Sequence, residues 1–561
     1  MKNFKNNFVK LGVIAVVVFG LILAIVSITQ NWGKNKDTIN RDAAIKKLNQ
    51  MYSSLNVNKL TPRKGNVQND DEDVVAILPD ISEFPFVVNP VTNEYLTIYS
   101  SPEKSGIGYQ NWLCDMAEKF NKSGATINGE PVSVGVRSVP SGLGANFIST
   151  HKYTPDIFMP SSELYGNILS DKGISINKME ERLAGNVTGV VLSKSKNDAL
   201  VTKHGSLNGK NIAESVSNGE LVIGYVNPLD DANGLNFILT TFYAFDSANP
   251  LSEVSISKFK KFQDNIPYVS NDVMQLEDSV YNGTLDGFVS DYQAYVNSSL
   301  KSDYVFVPLG VRNDQPVYEI GTLSALKKEM AVKFVDYCKT SEAQSMASDK
   351  GFNGFNDYKY EFESPDGATI GQMQETWKRE KSGSRDLTVV FVADISGSME
   401  GSPLLKLKAS LNRASTFIDS NTNIGLVTFS DSVNIALPVA KFDSDQKAYF
   451  TNAVRTMSSG GATAMFDAVV VAQKMLIDAQ KQNPNTELKI FVLTDGESNR
   501  GHMFEDIEDM SRDLRIPIYT IGYNADLDVL KSLSDINEAT TMNAETDDVI
   551  YKLQSLFNAQ M

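Results

Sequence analysis

The longest uninterrupted apolar run of the chain lies near its start. Residues 11–29, LGVIAVVVFGLILAIVSIT, contain no charged side chain. At a helical rise of about 1.5 Å per residue, the run is long enough to cross a hydrocarbon core of about 30 Å. A cleaved signal peptide is the alternative, but the run exceeds a usual signal core, and neither a small-x-small cleavage pattern nor a cysteine for lipid attachment follows it. The pattern favours an uncleaved transmembrane anchor.

Basic residues flank this run on both sides, so the charge count alone does not orient the anchor. A short segment before the run and a long folded part after it favour a cytoplasmic tail at residues 1–10. We therefore expect a single-pass protein of the cell membrane, with everything after residue 30 on the extracytoplasmic side.

Polar and charged residues dominate residues 30–92. KDTINRDAAIKKLNQMYSSL has apolar residues at helical spacing and predicts an amphipathic helix. The apolar side of that helix would consist of Ile39, Ala43, Ala44, Leu48 and Met51. The acidic run QNDDEDVV follows and is typical of a solvated linker. These patterns predict a stalk.

From residue 93 to 365 apolar strand patterns alternate with helical ones. Strands regularly separated by helices predict a parallel sheet with helices on both faces. VTGVVLSK, residues 187–194, has the pattern of a strand that crosses to a second lobe, and a later strand, YVFVPLG, covers residues 304–310. With FVDYCKTSEAQSMASDKGF near its end, the region resembles the bacterial extracellular solute-binding proteins. That resemblance implies two lobes joined by two crossings, with an oxyanion or another small solute bound between them.

Polar residues at the predicted strand ends are candidate ligands for that solute. Hydroxyls and backbone amides at helix starts suit an oxyanion or a carboxylate. Serine before a helix is also a common helix cap, and a domain that kept the fold without the pocket would serve as a spacer or docking surface. The candidates are Ser100, Ser101, Ser141, Gly142, Ser161, Ser162, Asn227 and Tyr292.

A second strand pattern ends in three oxygen-bearing side chains at every second position. In LTVVFVADISGSME the run of strand-forming residues from Leu387 to Ala393 is followed by Asp394, Ser396 and Ser398. A period of two in an extended segment points such side chains the same way, so they can converge on one hard cation. Residues 366–386, just before this strand, contain Gly, Ser and charged residues without a long apolar run. This composition predicts a linker.

Residues 387–561 resemble the von Willebrand factor A (VWA) family and its metal-ion-dependent adhesion site. Asp394, Ser396 and Ser398 match its Asp-x-Ser-x-Ser signature, Thr463 lies in SGGATAMFDA, and Asp495 lies in IFVLTDGES. The resemblance implies a Rossmann-like doubly wound α/β domain. Two carboxylates and three hydroxyls suit Mg²⁺, with Mn²⁺ or Ca²⁺ as substitutes, because these hard cations prefer oxygen.

In the VWA family the hydroxyls tend to contact the ion directly and the aspartates largely act through water. An ion held in that way lacks anionic ligands, so it can bind an Asp or Glu of a partner protein. Two alternatives stay open. Asp, Ser and Gly are common in turns and helix caps at strand ends, and a bound ion can serve only to stabilise the fold.

Composition restricts the remaining functions. The 68 acidic and 52 basic residues give a formal charge of −16, which disfavours nucleic acid as a partner. The chain has only three histidines, so few residues could form a Ser-His or Cys-His catalytic pair. Because no general base or nucleophile is identifiable either, we do not expect an enzyme. Cys114 and Cys338, the two cysteines, are either disulfide-bonded or buried free thiols.

The sequence therefore predicts a membrane-anchored extracytoplasmic binding protein. Its VWA domain would bind an acidic partner through Mg²⁺, coupled to the solute-binding-like domain; a solute receptor of an ABC-type uptake system with an accessory VWA domain is the alternative. The predicted organisation is a cytoplasmic tail (1–10), a transmembrane anchor (11–29), a stalk (30–92), a two-lobed solute-binding-like α/β domain (93–365), a linker (366–386) and a VWA domain (387–561).

Overall fold

The computed structural model describes residues 40–65, 78–267, 269–270, 273–496, 498–523, 527–537, 539–543, 556–557 and 559–560. The predicted tail (1–10) and anchor (11–29) lie outside these residues and stay predictions. No helix among the described residues has the length and apolar character needed to cross a membrane.

The described chain starts with helix α1 (Arg41–Ser54) and strand β1 (Val57–Lys59) and then builds two lobes. The first lobe contains β2 (Phe86–Val88), β3 (Glu94–Ser100), α2 (Pro102–Ser105), α3 (Trp112–Lys122), β4 (Thr126–Ile127), β5 (Glu130–Ser138), α4 (Ser141–Ser149), β6 (Ile157–Met159), α5 (Leu164–Asp171) and β7 (Ile176–Glu180). The second lobe contains β8 (Val187–Ser193), α6 (Lys194–His204), α7 (Gly209–Ser217), β9 (Ile223–Val226), α8 (Ala232–Phe245), α9 (Glu253–Gln263), β10 (Val269–Ser270), α10 (Val273–Tyr281), β11 (Gly287–Asp291), α11 (Tyr292–Asn297) and β12 (Tyr304–Arg312). The chain then returns to the first lobe through β13 (Val317–Ile320), α12 (Ala325–Cys338) and α13 (Ser341–Asp349), and α14 (Gly367–Glu380) follows.

Each lobe is built on one mixed sheet. The strand order is β2-β5-β3-β6-β13-β7 in the first lobe and β10-β9-β11-β8-β12 in the second. In the first lobe β3 pairs in parallel with β5 and β6, whereas β2 and β13 pair antiparallel with their neighbours. Strands β8 and β12 are antiparallel neighbours, because one leaves the first lobe and the other returns to it. The two predicted crossings are present, but the sheets are mixed rather than wholly parallel.

Both cysteines belong to the first lobe and are free thiols. Cys114 lies on α3 and Cys338 on α12, where they are half-buried and fully buried, respectively. Burial raises the pKa of the Cys114 thiol to about 11 and that of Cys338 further. Neutral buried thiols of this kind pack as small apolar side chains.

Helix α14 occupies the segment predicted to be a linker, so that prediction is wrong. Its apolar residues Ile370, Met373 and Trp377 are fully buried in the core shared with both lobes. The spacing of three and four places them on one face of the helix, and that face packs against the lobes. Side chains of Asp366 and Ser324 cap α14 and α12 at their first turns.

The C-terminal domain is a doubly wound α/β fold. Within the described residues its sheet has the order β1-β16-β15-β14-β17-β18-β19, and all neighbouring strands are parallel except β15 and β16. Its elements after the two lobes are β14 (Asp386–Asp394), α15 (Ser402–Phe417), β15 (Asn423–Phe429), β16 (Val433–Lys441), α16 (Ser444–Arg455), α17 (Met465–Gln482), β17 (Thr486–Thr494), α18 (Phe504–Leu514), β18 (Ile518–Gly522), α19 (Leu527–Asp535) and β19 (Thr541–Asn543).

The described part of the predicted stalk is divided between the two folded parts: residues 40–65 belong to this C-terminal domain, whereas residues 78–92 belong to the first lobe and include β2. Ala44, Leu48 and Met51 of α1 are buried in the core that α17 and α18 also enter, and β1 extends the sheet beside β16. The amphipathic helix is confirmed, but its apolar face is covered by the C-terminal domain rather than left on a stalk. The two-lobed domain is therefore inserted between β1 and β14 of the C-terminal fold.

Candidate functional site

The sequence-predicted metal ligands lie at the carboxyl edge of the C-terminal sheet. Strand β14 ends at Asp394, and its neighbour β17 ends one residue before Asp495. The two strands are parallel and in register, with Ala393 beside Leu493, so their ends reach the same edge. An open α/β sheet binds ligands at this edge, where successive connections leave a crevice.

Hydrogen bonds join four of the five predicted ligands into one network. The backbone N–H of Ser396 donates to Asp394 Oδ1 at 2.7 Å, and the Ser398 hydroxyl donates to Asp495 Oδ1 at 2.8 Å. The hydroxyls of Ser396 and Ser398 lie 3.0 Å apart. Thr494, which sequence reasoning missed, donates its hydroxyl to Asp394 Oδ2 at 2.5 Å. Its position directly before Asp495 in the LTDG segment is the signal that could have identified it.

The loop that carries Thr463 is attached to this network through backbone contacts. Gly397 N donates to Gly461 O, and Gly460 N donates to Ile395 O, both at 2.9 Å. Thr463 is buried, and its backbone N–H donates to Asn499 Oδ1 at 2.8 Å. Among the described hydrogen bonds, none joins the Thr463 hydroxyl to the other four side chains. The structure therefore brings this loop beside the Asp-x-Ser-x-Ser segment without a direct side-chain bond.

The two carboxylates of this edge lack positive partners. Asp394 is fully buried, and burial followed by the nearby Asp495 charge raises its pKa despite hydrogen bonds that lower it. Burial also raises the pKa of Asp495. Across the described ion pairs, no Lys, Arg or His contacts either side chain. A buried carboxylate beside a half-buried one, with no counter-ion, is unfavourable, so the arrangement fits a cation at this edge.

The donor set also limits which ion could bind. In the described part of the chain, no group of three or more His, Cys, Asp or Glu side chains could hold a metal ion. An ion at this edge would therefore depend on the hydroxyls of Ser396, Ser398 and Thr463 together with two carboxylates. Such hard oxygen ligands suit Mg²⁺ better than zinc, which favours nitrogen and sulfur.

Gly461→Ala should weaken the loop that carries Thr463. Gly461 has a φ of +91°, and an added Cβ would lie 2.3 Å from Asp431 Oδ2. Asp431 accepts a hydrogen bond from Ala462 N at 3.1 Å, so the aspartate cannot turn away without losing that bond. We expect a loss of about 1–3 kcal/mol in the unfolding free energy of the C-terminal domain and about 10-fold weaker Mg²⁺ binding, measured by denaturation and calorimetry.

Gly371→Ala is the matched control for this substitution. Gly371 lies inside α14, has no positive φ, and an added Cβ would meet no atom within 4 Å. Alanine is the better helix former, so this control should be neutral or slightly stabilising. Equal effects of the two substitutions would show that the conformation of Gly461 does not matter to the loop.

The predicted solute-binding residues are placed unevenly around the junction of the lobes. Ser100, Ser101, Ser141, Ser161, Ser162 and Asn227 are buried. The hydroxyls of Ser141 and Ser161 lie 3.0 Å apart, and Asn227 donates to Asp230 Oδ2 at 2.8 Å. A Cβ on Gly142 would lie 2.5 Å from Leu229 O, so the lobes touch there.

Tyr292 does not join the buried serines. Its ring packs against Tyr295, Phe306 and Phe355, at centroid distances of 6.3, 5.5 and 4.9 Å. It lies at the first position of α11, directly after a strand, as the sequence predicts, but its side chain belongs to an aromatic cluster of the second lobe. This contact predicts a packing role for Tyr292 rather than a ligand contact.

Lys104 is a buried cation that sequence reasoning missed. Its ammonium group donates to Ser101 Oγ, to Met159 O at 2.8 Å and to Gln315 Oε1 at 2.7 Å. It is fully buried, and burial lowers its pKa to about 8. Because Ser101 also donates to Glu103 Oε1 at 2.6 Å, its hydroxyl is already used within the first lobe. A lysine inside a serine-rich helix start gives no sequence signal that its side chain turns inward.

Comparison with known families assigns both folded parts. Residues 388–559 match the family described as von Willebrand factor type A domain, and residues 104–353 match the family described as bacterial extracellular solute-binding protein. The chain therefore contains a VWA domain and a solute-binding domain, which confirms both resemblances seen in the sequence. Each match covers less than half of the chain.

Individual relatives resemble one part of the chain at a time. A von Willebrand factor A domain-containing protein of Dictyostelium discoideum is 28% identical over 176 residues, which cover 30% of this chain and 18% of that protein. Inter-alpha-trypsin inhibitor heavy chain H1 of Mesocricetus auratus is 27% identical over 185 residues, which cover 30% of this chain and 20% of that protein. The chain thus spans about a fifth of these relatives' length. Among solved structures, the sulfate-binding protein SubI of Mycobacterium tuberculosis H37Rv has a TM-score of 0.34 and 14% identity, covering 47% of this chain and 88% of that chain.

Proposed function

We propose that this chain is a membrane-anchored extracytoplasmic binding protein whose VWA domain holds Mg²⁺ and binds an acidic partner protein. The observation that carries the proposal is the network at the carboxyl edge of the sheet, in which Asp394, Ser396, Ser398 and Asp495 are joined by hydrogen bonds. The anchor itself is the apolar run 11–29, a prediction from sequence. The coupled solute-binding domain would sense or present a small molecule.

The residues of this edge have separate tasks in the proposal. The hydroxyls of Ser396, Ser398 and Thr463 would hold Mg²⁺, and the two carboxylates would supply its negative charge. When bound, the ion offers a positive centre that a carboxylate from outside can reach. Asp394 is buried behind the serines, whereas Asp495 is only half-buried, so a partner would approach from the Asp495 side.

The position of the two-lobed domain supports binding at this edge. Arg385 donates to Gln263 O and Ile266 O of the second lobe at 3.4 and 3.3 Å, and it lies 3.6 Å from Glu487 at the start of β17. The domain thus docks at the amino edge of the C-terminal sheet. The nine residues of β14 separate the two edges by about 30 Å. A partner at the metal edge would therefore meet no obstruction from the second lobe.

The proposal is tested by the Mg²⁺ dependence of partner capture. Membranes containing the tagged full chain are solubilised, and proteins bound to it are compared in buffer with MgCl₂ and in buffer with EDTA. We expect partners that remain bound only with Mg²⁺. In parallel, Mg²⁺ at about 100 times its dissociation constant should stabilise the VWA domain by about 2.7 kcal/mol. A stabilised domain with the same proteins captured in both buffers would assign the ion a purely structural role.

A further inference from the structure

A cavity opens where the two lobes and α14 meet. Its volume is about 780 Å³. It is lined by Gly142 and Tyr165 of the first lobe, by Leu229 and Asp230 of the second lobe, and by one side of α14. A space of this size accommodates a small organic molecule.

Tyr165 connects this cavity to a group of carboxylates. It is fully buried and lines the cavity, and its hydroxyl has no hydrogen-bond partner among the residues that the structure describes. Burial raises the pKa of Tyr165 well above its usual value, and the charges of Asp231, Asp230 and Glu103 raise it further. The hydroxyl therefore lies within electrostatic reach of carboxylates from both lobes. A buried hydroxyl without a partner is unfavourable, so this position is suited to a ligand that completes its hydrogen bonding.

The carboxylates near Tyr165, those of Asp231 and Asp291, have no positively charged partner among the described ion pairs. Burial raises the pKa of Asp231 to about 7 and also raises that of Asp291, and each is raised further by Glu103. Lys104 Nζ lies 3.8 Å from Glu103 and compensates that residue. Among the described ion pairs, Asp231 and Asp291 have none. These two carboxyl groups at the junction of the lobes are thus stabilised by the N–H groups of their helix starts, without a paired cation among the described residues.

Two further buried oxygens near Asp291 have no hydrogen-bond partner within the described part of the chain. They are Asn313 Oδ1 and Gln293 Oε1, and both side chains are at most 2% exposed. Asn313 donates to Asn233 Oδ1 at 3.1 Å, and Asn233 donates to Asp291 Oδ2 at 3.3 Å. Gln293 follows Asp291 by two residues and donates across the lobes to Glu103 O at 3.0 Å. With the Tyr165 hydroxyl, three buried oxygens can each accept a hydrogen bond.

We propose that the junction of the lobes binds a small organic cation that carries N–H groups, such as a protonated amine. The carboxylates supply the opposite charge, and the three unpartnered oxygens accept its N–H groups. The cavity reaches this junction at Tyr165 and Asp230. The inference rests on the proposed solute-binding role and names the class of solute. An oxyanion fits less well, because it would face Asp231 and Asp291 while the Ser101 hydroxyl is already engaged.

The other charges around the cavity do not alter this preference. Lys172, Lys378 and Arg379 line its outer part and are exposed, as are Asp171 and Glu375 beside them. Mixed exposed charges at a rim are screened by solvent and contribute little to selection. A bare metal ion is also disfavoured, since no three acidic, His or Cys side chains in the described part of the chain are close enough to share one.

The test is calorimetric titration of the purified full chain with three probes. Spermidine carries protonated amines, choline carries a positive charge without N–H groups, and sodium sulfate supplies an oxyanion. We expect spermidine to bind at least about 10-fold more tightly than choline, a difference of about 1.4 kcal/mol, and sulfate not to bind. This comparison uses the unaltered chain, so it does not depend on a variant that folds.

Substitution then locates the site. Asp231→Asn and Asp291→Asn remove charge but keep the capping oxygen that accepts from the backbone, so the helix starts should persist. Each should weaken spermidine binding at least about 10-fold, as expected for loss of a buried charge pair. Asp443→Asn is the matched control, because Asp443 caps α16 of the VWA domain through two backbone N–H groups, as Asp231 caps α8. That control should bind spermidine as the unaltered chain does.

The possible outcomes separate the inference from the proposed function. Tighter binding of sulfate than of spermidine would overturn the cation assignment and leave solute binding standing. Absence of binding by all three probes would overturn the cation assignment, while Mg²⁺-dependent partner capture would still test the VWA domain on its own. Spermidine binding that Asp231→Asn, Asp291→Asn and Asp443→Asn leave equally strong would place the cation elsewhere on this acidic protein and would also refute the site.

Discussion

Asp394→Ala should greatly weaken Mg²⁺ binding by the full chain and, with it, Mg²⁺-dependent partner capture. The carboxylate is fully buried at the end of β14 and accepts from Ser396 N and the Thr494 hydroxyl, so it fixes the loop whose hydroxyls would hold the ion. Loss of a supporting contact typically reduces metal affinity by about 10–100-fold. Removing a central charge should cost about 100-fold or more, measured by calorimetric titration with MgCl₂.

The same substitution should affect stability in a way that depends on the ion. Without Mg²⁺, Asp394 is a buried carboxylate whose pKa is raised by burial and by the neighbouring Asp495 charge. Removing such a group relieves an unfavourable charge but leaves the Thr494 hydroxyl with only its contacts to the Gly496 backbone among the described hydrogen bonds, to O at 3.3 Å and from N at 3.2 Å. We therefore expect little net change in EDTA. With saturating Mg²⁺, the unaltered chain should gain stability that the variant does not.

Two further variants make this result specific. Asp394→Asn keeps an oxygen that can accept from Ser396 N while it removes the charge, so it separates the loop's geometry from electrostatics. Asp445→Ala removes an exposed carboxylate of the same domain, which is paired with Lys64 at 2.7 Å and lies on α16, away from the site. Mg²⁺ affinity should fall in the first variant and stay unchanged in the second. Equal Mg²⁺ affinity of Asp394→Asn, Asp445→Ala and the unaltered chain would mean that the ion binds elsewhere.

The proximity of the Asp-x-Ser-x-Ser residues could be predicted because they are local in the chain. Asp394, Ser396 and Ser398 lie within five residues at the end of a long apolar strand, and the extended spacing already indicates that they converge. That Asp495 lies beside them depends on strand order, which the family resemblance supplied. Thr494 was missed because its contact with Asp394 also depends on strand order; its position directly before Asp495 was the signal that the sequence offered.

The boundaries of the domains could not be predicted in the same way. An amphipathic helix shows that one face will be buried, but not which domain will bury it, so α1 was assigned to a stalk although Leu48 enters the C-terminal core. Helix α14 was assigned to a linker because Gly, Ser and charged residues surround it. The apolar spacing of Ile370, Met373 and Trp377 was nevertheless present in the sequence and could have identified the helix.

The interior of the two-lobed domain was the least predictable part. Serines at strand ends indicated an oxyanion, yet the outcome depends on side chains brought together from both lobes. Lys104 donates a hydrogen bond to the Ser101 hydroxyl within the first lobe, while Asp231 and Asp291 of the second lobe add negative charge nearby. The net charge of a cleft is contributed by residues that lie far apart in the sequence, so no local sequence pattern predicts it.

Trp377→Ala should cause the largest loss of stability in the two-lobed domain. The indole is fully buried, and its N–H donates to the Tyr225 hydroxyl of the second lobe at 2.8 Å. Replacing a buried tryptophan by alanine removes apolar contact and leaves a cavity, which costs about 3–5 kcal/mol. Chemical denaturation followed by circular dichroism measures the loss, and the transition of the VWA domain is recognised as the one that Mg²⁺ shifts.

Two variants separate the parts of this effect. Trp377→Phe retains most of the apolar contact and loses the hydrogen bond, so it should cost about 1 kcal/mol from that bond plus a smaller packing loss. Lys378→Ala changes the next residue of α14, which is exposed, and should stay within about 0.5 kcal/mol of the unaltered chain. A loss below about 1 kcal/mol for Trp377→Ala would mean that α14 is a detachable linker, as the sequence pattern had indicated.

Trp377→Ala should also affect ligand binding, because α14 contacts both lobes. Its start is held to the first lobe by Asn167, which donates to Pro365 O at 2.8 Å, and Gln374 donates to Pro228 O of the second lobe at 3.1 Å. Only a few residues then separate α14 from β14 of the VWA domain. If Trp377 fixes the helix across the junction, Trp377→Ala should weaken spermidine binding even under conditions where circular dichroism shows the domain still folded. Unchanged binding in a destabilised but folded variant would restrict α14 to a structural role.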